Sequence, residues 1–203
     1  MSTKNPRFHR PFDNAQGRRS IRLPEYDYSL EGAYYVTICT QYRKCLFGEI
    51  RNGKIILSKC GRIVDDWWQR IPERYSGVVL DEFVIMPNHM HGIIIIGGDV
   101  DNGVGAIHEL PLRIKRRAMV LPKIIGYFKM NSARQINQMH NTPGCPVWQR
   151  NYWEHVIRNK KSLHKIREYI RDNPYHWPSD DENPERIISS QRVRAIHPTT
   201  SYL

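Results

Sequence analysis

The sequence reads VVLDEFVIMPNHMHGIIII from residue 78 to residue 96, and more of the fold follows from it than from any other segment. It contains two runs rich in β-branched and aromatic residues, VVLDEFVIM and HMHGIIII, which meet at Pro87-Asn88. Residues of these types favour strands, and a proline next to an asparagine favours a turn. The segment therefore predicts two consecutive strands.

Outward from these strands, the remaining elements follow from turn signals and from the spacing of apolar residues. They are a strand at 34–40 (YYVTICT), a hairpin turning at Asn52-Gly53, a helix at 59–71 that ends before Pro72, a helix from Pro122 to near Met139, a strand at 147–157 and a helix at 162–173. Strands interleaved with helices around a tight hairpin indicate an α+β protein. We predict a ferredoxin-like antiparallel sheet with helices packed on one face.

Charge is the most informative feature of the composition. Thirty-one Lys and Arg against 20 Asp and Glu give the 203 residues a net charge of +11, which attracts polyanions such as nucleic acids. A basic protein with no nucleic-acid role is the alternative, and an acidic membrane surface is a weaker one. The apolar runs are too short to span a membrane, and the first residues do not resemble a signal peptide, so we expect a cytoplasmic protein. The four cysteines show no metal or disulfide spacing, which indicates ordinary thiols.

Three regions differ in composition. Residues 1–22 form a basic N-terminal arm, residues 23–178 form the folded domain, and residues 179–203 form a polar C-terminal tail. Within the domain, the glycine-rich and then basic stretch at 97–117 predicts a mobile loop.

His89 and His91 are the first candidates for chemistry. Side chains at i and i+2 of a strand point to the same face, about 7 Å apart along the chain, so two imidazoles can share one metal ion. A pair of histidines at the start of a strand by chance is the alternative, and this pattern alone is a weak signal.

Tyr169 and Asn173 in the last helix are the second candidates. They are four residues apart, so they lie one turn from each other on one edge of the apolar stripe formed by Leu163, Ile166 and Ile170. The amide of Asn173 offers a hard oxygen ligand, and Tyr169 offers a hydroxyl that is a poor nucleophile at its ordinary pKa of about 10. Alternatively, Tyr169 packs its ring and Asn173 ends the helix before Pro174.

At these residues the chain resembles a known family. MPNHMHG looks like the His-hydrophobic-His motif of the HUH nucleases, and REYIRDNP is similar to the tyrosine segment of the REP-associated tyrosine transposases. WQRNYWEHVIRN and GYFKMNSARQIN also resemble stretches of that family, so the resemblance extends from about residue 22 to residue 174. The two motifs in this order are specific, whereas His-x-His alone is not.

The resemblance implies a metal-dependent endonuclease and strand transferase that acts on single-stranded or hairpin DNA. It makes His89, His91 and Asn173 the metal ligands and Tyr169 the nucleophile, which would form a 5′-phosphotyrosine. It also implies Mg²⁺ or Mn²⁺ as the cofactor, and a monomer or a homodimer. A second tyrosine at position 173 would indicate a paired-tyrosine enzyme, but Asn173 stands there.

Several further roles are expected. Glu154 and His155 are candidates to deprotonate Tyr169. The residues expected to contact DNA are Arg116, Arg117, Lys129 and Arg134 for phosphates, and Trp148, Tyr152 and Trp153 for base stacking. A DNA-binding protein of the same fold that does not cut is one alternative. A phosphoesterase using His140-Asn141-Thr142 and His197-Pro198-Thr199 is another, although these motifs lie outside the strands.

Overall fold

A computed structural model describes residues 32–97 and 120–186 of the chain. Its strands are β1 (Gly32–Cys39), β2 (Gly48–Arg51), β3 (Lys54–Leu57), β4 (Val78–Ile85), β5 (His89–Ile96) and β6 (Trp153–Ile157). Its α-helices are α1 (Lys59–Gln69), α2 (Ile71–Arg74), α3 (Val120–His140) and α4 (Lys160–Asp172), and single 3₁₀ turns occur at Gln41–Arg43 and Trp177–Ser179. No helix of the described residues is both long and apolar enough to cross a membrane.

The main sheet has the strand order β4-β5-β1-β6, and every neighbouring pair is antiparallel. Helix α1 connects β1 to β4 by way of the separate β2–β3 hairpin, and α3 connects β5 to β6. This order of strands and crossovers is ferredoxin-like. The predicted α+β class and antiparallel sheet are therefore confirmed.

Helices cover both faces of this sheet, which extends the predicted arrangement. The two crossover helices α1 and α3 share one face, as expected, and pack on Tyr34, Val36 and Ile94. Helix α4 covers the other face, where it packs on Tyr35 and Ile93. The physical reason is that both alternating sets on β1 and β5 contain large apolar side chains, so each face must be removed from water.

The segment before β6 is not the long strand that the sequence predicts at 147–157. Only Trp153–Ile157 pairs with β1, and Trp148 forms an isolated bridge to Thr40. The carbonyls of Gln149 and Arg150 bond to the Lys129 ammonium at 2.6 and 3.0 Å instead of to a neighbouring strand. The half-buried Lys129 of α3 thus occupies carbonyls that a continuous strand would use in its ladder, although the Gln149 N–H still donates to the Cys39 carbonyl at 2.9 Å.

Two ion pairs fix α4 against the edge strand β4. The pairing register of β4 shifts by one residue between Leu80 and Phe83, and the bulged residues there are Asp81 and Glu82. Arg167 of α4 donates to Asp81 at 2.6 and 2.9 Å, and Arg171 donates to Glu82 at 3.0 Å. Because Tyr169 lies between these two arginines in sequence, the bulge helps to set its position.

Gly92 of β5 is predicted to be indispensable for packing. A Cβ atom at Gly92 would overlap the indole of Trp68, which is fully buried, whereas a Cβ at Gly126 in α3 would meet nothing within 4 Å. We expect Gly92→Ala to destabilise the protein by about 1–3 kcal/mol, because overpacking displaces a rigid side chain. Gly126→Ala should instead stabilise it by up to about 1 kcal/mol, because alanine favours the helix interior. Urea unfolding measures both, and equal effects of the two variants would contradict this packing.

Candidate active site

His89 and His91 lie side by side at the start of β5, on the sheet face that α4 covers. Both side chains are fully buried. Their ring centroids are 4.7 Å apart, and the two Nε2 atoms face each other at 3.1 Å. The strand therefore points both imidazoles at one place, as the two-residue spacing predicts.

The outer nitrogen of each imidazole is held by a polar side chain. His89 Nδ1 lies 2.8 Å from Asn88 Oδ1, and His91 Nδ1 lies 2.8 Å from both the Tyr35 hydroxyl and the Thr37 hydroxyl. Metal-binding histidines commonly have this arrangement, in which a partner at one nitrogen orients the ring and leaves the other nitrogen for the ion.

Tyr169 reaches the histidine pair from α4. Its ring centroid lies 5.4 Å from that of His91 and 6.3 Å from that of Tyr35. The side chain is partly buried, so its ring packs in the protein while some of its surface remains accessible. The structure thus brings Tyr169 and the imidazoles together within one chain.

Asn173 follows one turn after Tyr169 and is the C-cap of α4. It is only 2% exposed, and its Oδ1 has no hydrogen-bond partner among residues 32–97 and 120–186. Buried amide oxygens are nearly always bonded, so an unsatisfied one calls for an explanation such as a bound ion. Asn173 therefore has an oxygen to offer, as expected of the third ligand.

These donors fit a divalent cation. Two nitrogens bound to one ion at about 2.0–2.1 Å lie roughly 2.9–3.4 Å apart, and the observed separation of 3.1 Å falls in this range. Within the described ranges no cluster of three His, Cys, Asp or Glu side chains could hold a metal, so a third protein ligand would have to be of another type, for which the Asn173 amide is the candidate. Two imidazoles suit Mn²⁺ better than Mg²⁺, which prefers oxygen.

The sequence alone did not identify four residues that complete this site. Tyr35, Thr37 and Asn88 contact the histidines, and the ring of Trp177 lies 6.1 Å from that of His89. Tyr35 and Thr37 carry the same two-residue spacing on β1 as the histidines on β5, which is a signal that could have paired them. No sequence signal connects Trp177 to His89.

The two candidate bases for Tyr169 lie on opposite faces of β6. Trp153 packs on Tyr35 at 5.3 Å and stacks on His155 at 5.9 Å, so both face α4. Glu154 alternates to the other face, and the expectation that it reaches Tyr169 is therefore wrong. Burial, and then the nearby Arg158, lower the pKa of His155.

The residues expected to contact DNA differ in how accessible they are. Trp148 is 6% exposed and donates its indole N–H to Ser132 at 3.0 Å, so it is a core residue and not a stacking platform. Tyr152 is partly buried against the core, and Arg134 is exposed on α3. The ammonium of Lys129 is bonded to backbone carbonyls. Arg116 and Arg117 lie outside the described residues.

The alternative phosphoesterase motifs do not form a site in the described part of the chain. His140 ends α3, and its Nε2 lies 3.2 Å from the thiol of Cys60, which packs on the sheet face opposite the His89–His91 pair. His197 lies outside the described residues.

Comparison with known proteins identifies relatives but no matching family model. An uncharacterized protein of Haemophilus influenzae is 42% identical over 172 residues, which span 80% of this chain and 91% of that protein. A second protein of that organism, described as a "Putative REP-associated tyrosine transposase", is 33% identical over 90 residues, 44% of this chain and 46% of its own length. The resemblance seen in the motifs is thereby confirmed.

Two solved structures are also similar. A REP-associated tyrosine transposase bound to a REP hairpin is 19% identical with a TM-score of 0.46, and the match covers 77% of this chain and 73% of that one. A "putative transposase" from Deinococcus radiodurans is 18% identical with a TM-score of 0.41, covering 70% of this chain and 91% of that one. At these TM-scores neither overlay bears on the geometry of the site.

Lys129 gives the protein a predictable pH dependence. Burial lowers its pKa to about 8, below the value of about 10.4 expected in the unfolded chain. Between these values the folded state binds fewer protons than the unfolded state, so this residue makes the free energy of unfolding rise with pH.

Urea unfolding at pH 7.5, 8.5 and 9.5 tests this. The difference between wild type and Lys129→Met should grow with pH, because methionine cannot titrate. Arg134→Gln, an exposed change on the same helix, should follow the wild-type trend. Parallel curves for wild type and Lys129→Met would contradict the lowered pKa.

Proposed function

This chain belongs to one family with the Haemophilus influenzae protein that is 42% identical to it. Because it also carries the motifs of the REP-associated tyrosine transposases, we propose that it is a transposase that nicks and rejoins DNA. The substrate is single-stranded or hairpin DNA, and the nucleophile is Tyr169. The observation that carries this proposal is the contact of the Tyr169 ring with His91, 5.4 Å between centroids, on the sheet face that holds both histidines.

The reaction is a transfer between two oxygens at phosphorus. The Tyr169 oxygen attacks a phosphodiester, forms a bond to phosphorus and loses its phenolic proton. The bond from phosphorus to the 3′ oxygen breaks, and that oxygen takes up a proton to become a free 3′-hydroxyl. The product is a 5′-phosphotyrosine that retains the energy of the ester, so a second 3′-hydroxyl can reverse the step and join strands without ATP.

His89, His91 and Asn173 would hold a divalent cation, Mn²⁺ or Mg²⁺. Such an ion neutralises the charge that grows on the phosphate oxygens during the transfer. The protein contributes the rigid strand β5, which holds the two imidazoles, and the burial that strengthens electrostatic attraction at this point. The unpartnered Oδ1 of Asn173 supports this assignment.

His155 is the better of the two candidates to accept the phenolic proton. Its side chain faces α4, and its lowered pKa keeps the imidazole neutral and able to accept a proton at neutral pH. Glu154 faces the other side of the sheet.

The charge on α4 supports a path for the DNA backbone. Lys161, Lys165 and Tyr169 follow one another at intervals of four residues, so they share one helix face, and both lysines are exposed. With the net charge of +11, they can neutralise phosphates on the way to Tyr169, whereas the exposed Arg134 is on α3 at the other face of the sheet. Tyr152 and Trp153 remain the proposed stacking residues.

A covalent adduct tests the nucleophile. Hairpin oligonucleotides with short palindromic stems, labelled at the 3′ end, are incubated with the protein and Mn²⁺ and run on a denaturing gel. We expect the label to migrate with the protein, because the 5′-phosphotyrosine retains the downstream fragment, and Tyr169→Phe should abolish the adduct. Tyr175→Phe, which changes a 75% exposed tyrosine six residues on, is the matched control and should keep it.

Two outcomes would reject the nicking activity. An adduct that persists in Tyr169→Phe would assign the chemistry to another residue. Binding of the same oligonucleotides without any adduct in the wild type would instead identify a DNA-binding protein of this fold that does not cut.

Removal of the cation tests the role of the histidines. With EDTA in excess, adduct formation should fall by roughly 100-fold or more, because uncompensated charge would then build up on the phosphate. His91→Gln should have a similar effect, and its adduct should not be restored by Mn²⁺ at the concentration that saturates the wild type. His164→Gln, on the exposed surface of α4, is the control. Unchanged adduct formation in EDTA would contradict a role of the cation in the reaction.

A further inference from the structure

Asn88 occupies the turn between β4 and β5 and is fully buried. Its side-chain nitrogen donates to two backbone carbonyls, that of Glu182 at 2.7 Å and that of Arg43 at 3.1 Å. These two acceptors settle the orientation of the amide, since an amide oxygen in the same place would face two carbonyl oxygens. The Oδ1 atom must therefore be the end that meets His89 Nδ1 at 2.8 Å.

This orientation decides which nitrogen of His89 carries a proton. An amide oxygen only accepts, so His89 Nδ1 must be protonated and donate to it. In a neutral imidazole the other nitrogen, Nε2, then holds a lone pair. We propose that Asn88 is a positioning residue, which fixes His89 in the form that presents a lone pair toward His91 even before a cation binds. The proposal rests on the proposed function only in taking His89 as a ligand.

His91 differs from His89 in this respect. Its Nδ1 meets the hydroxyls of Tyr35 and Thr37, each of which can donate or accept. Without a cation, the Nε2 of His91 must carry a proton, because two lone pairs would repel each other at 3.1 Å. The hydroxyls can reverse their roles, so His91 can change to the Nδ1-protonated form without movement of any side chain. The two histidines therefore differ: the nitrogen that carries the proton is fixed in His89, whereas it can change in His91.

The segment after α4 also contacts Asn88 and His89. The carbonyl that Asn88 bonds belongs to Glu182, whose carboxylate pairs with Arg43 at 2.8 Å and is 4% exposed. Asn183 donates to the carbonyl of Trp177 at 3.0 Å, and Trp177 lies against His89. Residues 177–183 are thus packed on the histidine motif, and their docking is linked to the orientation of Asn88.

Ring-nitrogen NMR on the full-length protein, labelled with ¹⁵N-histidine and freed of metal at pH 8, tests the proposal directly. His89 is assigned by its loss in His89→Gln. We expect His89 with the proton on Nδ1 and His91 with the proton on Nε2. In Asn88→Ala, His89 should become a mixture of both forms, and the Mn²⁺ affinity measured by calorimetry should fall by about 10-fold to 100-fold.

Two further variants distinguish a positioning role of Asn88 from a general loss of structure. Asn88→Asp keeps an oxygen acceptor for His89 Nδ1 but sets its second oxygen against the carbonyls of Glu182 and Arg43, so the protein that folds should be less stable yet keep the proton on His89 Nδ1. Asn137→Ala removes another asparagine that donates to a carbonyl, that of Cys145 at 2.8 Å, far from the histidines, and should change neither readout.

The wild-type spectrum shows which nitrogen of His89 carries the proton, so it tests the proposal even where a variant does not fold. A His89 ring with its proton on Nε2 would overturn the proposal, as would an Asn88→Ala protein with unchanged His89 and unchanged Mn²⁺ affinity. If the wild-type rings have the expected protons but Mn²⁺ does not bind, Asn88 keeps its role and the metal part of the proposed function fails.

Discussion

The alternation of side chains along β5 is the constraint on which the rest of this structure depends. Each residue of the strand is buried, and successive side chains point to opposite faces. His89, His91 and Ile93 therefore face α4, while Met90, Gly92 and Ile94 face the crossover helices. A shift of one residue in the register would move both imidazoles into the apolar core, where their polar partners are missing.

Packing on the opposite face keeps this register. Trp68 of α1 fills the space beside Gly92, and Phe128 of α3 meets Trp68 edge-on at 5.3 Å. Interiors packed in this way resist displacement, because each side chain is confined by its neighbours. Apolar contacts on the opposite face thus keep the register of β5, while Asn88, Tyr35 and Thr37 orient the two rings whose Nε2 atoms lie 3.1 Å apart.

The helix that supplies Tyr169 is held by a different balance of forces. Leu163, Ile166 and Ile170 bury its inner stripe, and the arginines at 167 and 171 pair with the bulged residues of β4. Burial provides most of the attraction, while the ion pairs at the half-exposed edge define the angle of approach. The phenol therefore arrives at the histidines from a helix whose contacts are distinct from those of the strand.

The sequence by itself determined the elements and the pairs of residues that share a face within each element. The strand periodicity of HMHGIIII and the four-residue interval between Tyr169 and Asn173 are local properties, because they follow from backbone geometry over a few residues. The ferredoxin-like order, the hairpin at Asn52-Gly53 and the boundaries of most elements were predicted on the same grounds. Only the resemblance to a family joined the strand and the distant helix at one site.

The tertiary structure decided what contacts across the chain require. It placed α4 on the second face of the sheet, directed Glu154 away from Tyr169 and buried Trp148 in the core. In the tertiary structure Lys129 donates hydrogen bonds to backbone carbonyls. Tyr35, Asn88 and the segment around Glu182 are brought next to the histidines. Such pairings join residues between 20 and 94 positions apart, and they depend on burial and hydrogen bonding that no local pattern encodes.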